Sequence, residues 1–224
     1  PRLPEGQERI QLELPLQVGR GAAAYALEGY ASATGASAYG RAVDLGDRAE
    51  GTPEAFRALW GLWAGTSSHF GWRRSLDLAQ RLRRLAPGDK DPVRSQQSHF
   101  AMGNIQFWRG EFEEARRHLE RAIALYEPTD HEALITGYGE NAYATSGSYL
   151  GWTLCQLGFP EQAEAAGRRA VAEARRIEHP FSLGYALTFF TVLHRMLRQP
   201  DATLALAEET MRLGTDHGFP LWRV

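Results

Sequence analysis

Prolines punctuate this sequence at a nearly constant interval. Pro53, Pro92, Pro180 and Pro220 each follow a turn or cap and precede a helical pattern. The first turn of a helix suits proline, whose missing N–H would be unpaired there anyway. Thr52 before Pro53 and Asp91 before Pro92 add the side-chain acceptors that start a helix. The steps are 39, 88 and 40 residues, so the middle one is two repeats, its unmarked start lying between Gly137 and Ala144. A second series, Gly71, Gly110, Gly158 and Arg198-Gln199-Pro200, falls near the midpoint of each repeat. The chain therefore reads as helix–turn–helix units of about 40 residues, a period that means a solenoid.

Composition points the same way. There are 32 Ala and 26 Leu against 6 Val and 5 Ile, which favours helix over sheet. The expected fold is all-α: a right-handed α-solenoid of about five hairpins at residues 5–50, 53–86, 92–127, 140–177 and 180–216, with 219–224 opening a further helix. In the first hairpin the helices are expected near Glu5–Arg20 and Gly35–Glu50. The Gly-, Ala- and Ser-rich segment Gly19–Gly40 reads as a long turn between them. Second helices are the most regular. Phe112, Ala115, Leu119, Ala122, Ile123 and Tyr126 share one face, as do Ala163, Ala166, Ala170, Val171, Ala174 and Ile177. The chain starts at Pro1 without a methionine, and Leu221 and Trp222 make a poor polar cap. That predicts a fragment of a longer array with an apolar, adhesive end at Trp222.

The third of these units, 92–127, resembles a tetratricopeptide repeat in detail. Gly103, Gly110, Ala115, Leu119 and Ala122 carry its small–small–small–large–small pattern, and Pro128 closes the unit. In the next unit Gly151, Gly158, Ala163 and Ala170 match, but Gly167 stands where a large residue is usual, which weakens packing or leaves room for a neighbour's side chain. Segments such as Leu59-Trp60-Gly61-Leu62-Trp63, Phe107-Trp108-Arg109-Gly110-Glu111-Phe112 and His179-Pro180-Phe181-Ser182-Leu183 are similar to the helical tails of large bacterial signalling ATPases. In those proteins a nucleotide-cyclase, kinase or DNA-binding head precedes a STAND-type ATPase and then repeats of this kind. The resemblance implies a non-catalytic interaction or sensing module that binds a partner protein, a peptide or other domains of its own chain.

Placing the sequence on the repeat positions that face the inner groove gives Gln97, Phe100, Asn104, Trp152, Gln156, Tyr185 and Arg195 as the partner-binding candidates. Aromatics and amides in such a groove suit an extended peptide or a partner helix. Trp152 has a second reading as packing between repeats. The chaperone-tail clamp is not expected, because Phe100 stands where that clamp needs Lys, although Asn104 fits. The linker Glu127–Gly147 is the oddest stretch. It is either functional or a structural plug carrying Tyr138 and Tyr143. Two further function classes stay open: self-assembly that oligomerises a parent protein, and small-molecule sensing in a pocket under this linker.

Enzyme chemistry is not written in the sequence. A phosphate-cradling G-x-x-x-x-G-K-[ST] is lacking, His131-Glu132 is not completed to a zinc-protease helix, and Gly35-Ala36-Ser37-Ala38-Tyr39 fails as a nucleophile elbow. The seven His are scattered, so no catalytic residue, metal site or cofactor is expected. Cys155 reads as an inert buried thiol, and a single cysteine makes the cytosol the expected compartment. Arginine pairs at 116/117, 168/169 and 175/176 are interleaved with acids, and the net charge is −2. Nucleic acid is therefore not an expected partner. No apolar run approaches the ~18 residues a membrane span needs, so neither is a membrane.

Overall fold

The computed structural model describes residues 6–49, 51–68, 71–86, 91–219 and 222. They form eleven α-helices and, among the described residues, no strand. Five hairpins follow one another: α1 (Gln7–Glu28) with α2 (Ala33–Gly46), and α3 (Pro53–Ser68) with α4 (Trp72–Leu85). Next come α5 (Pro92–Trp108) with α6 (Phe112–Ala124), then α8 (Ala142–Gln156) with α9 (Pro160–Arg176), and finally α10 (Pro180–Met196) with α11 (Pro200–Asp216). The short helix α7 (His131–Tyr138) is an extra element between the third and fourth hairpins.

The helices start and stop for local chemical reasons. Asp91 accepts a hydrogen bond from the Arg94 amide at 2.9 Å, and Asn141 accepts one from the Ala144 amide at 3.0 Å. Each satisfies one of the unpaired donors of a first turn. Gly110 and Gly158 turn the chain between the two helices of a hairpin with φ of 78° and 84°, which a side chain would resist.

Two layers result. Helices α1, α3, α5, α8 and α10 pack in succession as the inner layer, and α2, α4, α6, α9 and α11 cover their backs. The outer helices are two-faced, so Ala115, Leu119 and Ala122 of α6 and Ala163, Ala166, Ala170, Val171 and Ala174 of α9 are buried. Small residues set the helix spacing. A Cβ on Gly103 would lie 2.7 Å from Leu119 Cγ, and one on Gly167 would lie 2.5 Å from the Phe190 ring. Gly167, where a large residue is usual, thus makes room for a side chain of the next hairpin.

Several expectations are corrected. Gly19–Gly40 is not a long turn, because α1 runs on to Glu28 and α2 begins at Ala33. Its glycines are sockets: a Cβ on Gly21 would meet the Tyr39 ring at 2.6 Å, and one on Gly35 the Tyr25 ring at 2.2 Å. Glu127–Gly147 is not an open linker either, since a 3₁₀ turn (Pro128–Asp130) and α7 fill most of it. Tyr138 packs edge-on against Phe56 and Trp60 of α3, and Tyr143 packs on Tyr126. Trp222 is not an exposed adhesive end. It is 6% exposed, seated over Gly184 and Gly214 and against the rings of Phe181 and Tyr185. Leu221 and the rest of the expected helix 219–224, apart from Phe219 and Trp222, lie outside the described residues.

Candidate binding site

The inner layer converges on a cavity of about 180 Å³. Trp60 and Trp63 come from α3, Phe100, Asn104 and Trp108 from α5, Tyr149 from α8 and Tyr185 from α10. Two residues between helices complete it, Tyr30 from the α1–α2 connection and Glu140 from the α7–α8 connection. Among the described lining residues seven are aromatic, one is acidic, and none is Arg, Lys or His.

Glu140 is held by its neighbours in sequence. Gly139, at φ 77°, ends α7 in a left-handed turn, and Asn141 caps α8, so Glu140 is the one residue between two helix termini. The Asn141 amide donates to Ser182 Oγ at 3.0 Å, and its Nδ2 donates to the Tyr126 hydroxyl at 3.2 Å, which fixes this corner. Glu140 is 3% exposed and has no ion-pair partner among the described residues. Burial pushes its pKa up to about 8, partly offset by hydrogen bonds from the Tyr30 and Thr145 hydroxyls. The Tyr30 hydroxyl donates to Oε2 at 3.2 Å.

Four buried polar atoms of the cavity wall have no protein hydrogen-bond partner among the described residues: Glu140 Oε1, Asn104 Oδ1, Trp60 Nε1 and Trp63 Nε1. Each such group forfeits about 1–3 kcal/mol relative to a satisfied one. Native cores keep few of them, and here four lie around one cavity. A second cavity of about 370 Å³ adjoins the first across Tyr30 and Trp60 and is lined by Tyr25, Tyr39, Tyr138 and Phe181.

The structure sorts the residues singled out from sequence. Phe100, Asn104 and Tyr185 come together at the cavity. Gln97 does not face a groove. It is fully buried in the packing of the inner layer, 0% exposed. Trp152 is half-buried between repeats, stacked on Phe189 at 4.1 Å, with its Nε1 donating to the Phe189 carbonyl at 2.8 Å. Both its ring face and its donor are used inside the chain, which fits its reading as packing between repeats. Gln156 and Arg195 lie near the ends of α8 and α10 and do not line the cavity. Tyr30, Trp60, Trp63, Tyr149 and Glu140 are absent from the candidates that sequence alone supplies. The available signal was a lone acid beside a Gly-rich turn in the odd linker.

Histidine and cysteine chemistry lies elsewhere. His99 and His118 face each other, Nδ1 to Nδ1 at 2.8 Å, and burial together with the Arg83 charge holds them near pKa 3 and 4. Among the described residues no group of three His, Cys, Asp or Glu could hold a metal ion. Burial raises the Cys155 thiol pKa, which makes it a poor nucleophile. No helix among the described residues is long and apolar enough to cross a membrane.

Helical hairpins in two layers, with glycine and alanine at the close approaches, define an α-solenoid. Residues 96–128, spanning most of α5 and all of α6, match the family model described as tetratricopeptide repeat. In three dimensions the chain is similar to TTC0263, a thermophilic TPR protein of Thermus thermophilus, with 18% identity over 92% of each chain and a TM-score of 0.61. It is also similar to the apo form of RapI, with 13% identity, 98% of this chain and 81% of that one covered, and a TM-score of 0.65. A putative kinesin light chain from Podosopora anserina with nearly identical TPR-like repeats gives 13% identity, coverage of 95% and 99%, and a TM-score of 0.60. A search of curated proteins gives no match. These likenesses show the fold, an all-α right-handed solenoid.

Proposed function

We propose that this chain is the non-catalytic recognition module of a larger bacterial signalling regulator in the cytoplasm, and that it receives its signal at the inner cavity. The observation that carries this reading is the cluster of four unpaired polar atoms around one aromatic cavity. Phe100, Asn104 and Tyr185 are the binding residues in this proposal. The occupant in this proposal is smaller than the expected extended peptide or partner helix. Helix α7 packs on α3, and Tyr30 reaches the ring of Phe181 on α10 at 6.2 Å, so the inner face narrows to a cavity that suits a side chain or a small molecule.

Nucleic acid is not the proposed partner, because outer arginines pair with acids: Arg116 with Glu120, Arg175 with Glu209 and Arg176 with Glu173. A thermal-shift screen of small molecules and peptides tests the proposal. Ligands that raise the melting temperature should lose at least about tenfold in affinity on Asn104→Ala or Tyr185→Ala. Ligands indifferent to both substitutions would overturn the cavity as the site. Turnover abolished by one point substitution would overturn the non-catalytic reading.

Self-assembly is a second reading with its own observation. Leu12, Leu16 and Leu27 of α1 are 51%, 71% and 79% exposed, and their spacing puts them on one stripe of the helix. A second copy or another domain of the parent protein would cover this stripe. Light scattering of the chain and of Leu16→Glu checks it, with a monomer at high concentration as the contrary result.

A further inference from the structure

The cavity wall discriminates among ligands by charge and by hydrogen-bond sense. Among the described residues its single ionisable group below the tyrosines is Glu140 and no basic side chain lines it, so there an anion meets a carboxyl group without a counter-charge. A neutral apolar molecule leaves Glu140 Oε1 and Asn104 Oδ1 as unpaired as they are in the protein alone. A quaternary ammonium ion suits the ring faces of Trp60, Trp63 and Tyr149 but has no N–H to give the two acceptors. A protonated primary amine supplies both: a positive charge for the carboxylate and the rings, and three donors for the two unpaired oxygens. The indole N–H groups of Trp60 and Trp63 are unpaired donors and ask for an acceptor on the same ligand. Size narrows the choice further, since a cavity of about 150 Å³ accommodates benzene. One of about 180 Å³ therefore takes a molecule of few heavy atoms.

Building on the reading of this cavity as the recognition site, we propose that it binds a small free primary amine that also carries a hydroxyl or similar acceptor. Glu140 and Asn104 hold the ammonium group, Trp60 and Trp63 hold the acceptor, and Tyr30 positions the Glu140 carboxylate. The two acceptors come from the α7–α8 corner and from α5, so the amine bridges the inserted helix to the regular repeats. This gives the insertion a function: it brings the acid to the aromatic wall.

The test is a titration of the 224-residue chain with 5-amino-1-pentanol at constant ionic strength, read by tryptophan fluorescence and by the melting temperature. Saturable binding is expected, with 1,5-pentanediol and 5-hydroxypentanoate weaker by at least about tenfold. Glu140→Gln keeps the shape, removes a buried acid and should fold, and it should lose at least about tenfold for the amine. Asn104→Leu is expected to lose several-fold. Affinity of the unaltered chain should rise from about pH 6.5 to about pH 8.5 and stay flat in Glu140→Gln. The groups facing Glu140 are the hydroxyls of Tyr30, Thr145, Tyr149 and Tyr185 and the non-titrating side chains of α3 and α5. The tyrosines are all raised above their ordinary pKa, so among the described groups facing the cavity only Glu140 ionises in that window.

An equal response to amine and diol, or a response kept in Glu140→Gln, overturns the proposal. Tight binding of acetyl-Gly-Lys-Gly-amide that matches the free amine overturns it in favour of a partner's lysine. If the diol or the hydroxy acid binds and the amine is silent, the amine assignment falls while the recognition cavity stands. If no probe of any charge responds and screened ligands ignore Asn104→Ala, both fall.

Discussion

The outer and inner layers of this solenoid treat polar groups in opposite ways. On the outer helices they sit at the surface in ion pairs within a turn or two, such as Arg116 with Glu120 and Arg117 with Glu114 on α6 and Arg168 with Glu164 on α9. On the inner helices they are buried, and several side-chain atoms have no protein partner among the described residues: both polar atoms of Gln97 and the amide oxygens of Asn104 and Gln106 on α5, the indole nitrogens of Trp60 and Trp63 on α3, and the Ser146 hydroxyl on α8. Among the described outer helices, Ser75 is in the same position. The difference follows from geometry. An outer helix buries one stripe, so its polar face keeps water and neighbours within reach. An inner helix is covered by its hairpin partner, by the repeats on either side and, here, by α7. Polar groups kept there despite the desolvation penalty are what the proposed recognition role rests on.

Substitutions can sharpen or break this contrast, and the largest effect belongs to packing. Trp152→Ala should lower stability by roughly 3–5 kcal/mol, because it empties a stack and removes a donor already paired inside the chain. A denaturant melt checks it. A loss under ~1 kcal/mol would return Trp152 to the groove.

Glu140→Gln runs the other way. The folded-state pKa of about 8 lies above the ordinary carboxylate value of 4.5, so ionising this group opposes folding. The penalty is absent below about pH 4.5 and grows as pH rises toward 8. The variant should therefore be more stable than the parent by roughly 2–3 kcal/mol at about pH 8, with no gain at about pH 4. Melts across that range decide it, and a destabilised variant at the alkaline end would deny that the acid is held against its preference.

The His99–His118 pair, where an inner helix meets an outer one, titrates with the opposite sign. Both folded pKa values, near 3 and 4, lie below the ordinary 6.5. Their contribution is full above about pH 6.5 and is lost as pH falls toward 4, because the unfolded chain takes up the protons first. Stability should drop by roughly 1–2 kcal/mol between about pH 7 and about pH 5. A double His99→Gln, His118→Gln variant should flatten that limb, and an unchanged limb would assign it to other groups. Smallest of all, Arg117→Ala on the outer face should change stability by less than ~0.5 kcal/mol, since an exposed ion pair is screened and costs side-chain entropy.

Regular repeats are readable because their signals are local. The face of Ala115, Leu119 and Ala122, the Pro start of α5 and the Gly110 turn all act within a few residues. The first hairpin misleads for an instructive reason. Glycine has the same letter in a turn and in a socket, and Gly21 and Gly35 are sockets only because Tyr39 and Tyr25 arrive from elsewhere in the fold. Trp222 misleads in the same way, since the glycines beneath it, Gly184 and Gly214, are 38 and 8 residues away.

By itself, then, the sequence determined the period, the helical class, the hairpins and the two-faced outer helices, because helix periodicity and capping are properties of neighbouring residues. Only the tertiary structure decided that Phe100, Asn104 and Tyr185 share a cavity while Gln97 and Trp152 are packing. Only the tertiary structure brought Tyr30 within 3.2 Å of Glu140, 110 positions away. Burial and pairing depend on what other segments place around a residue, and no local pattern carries that information.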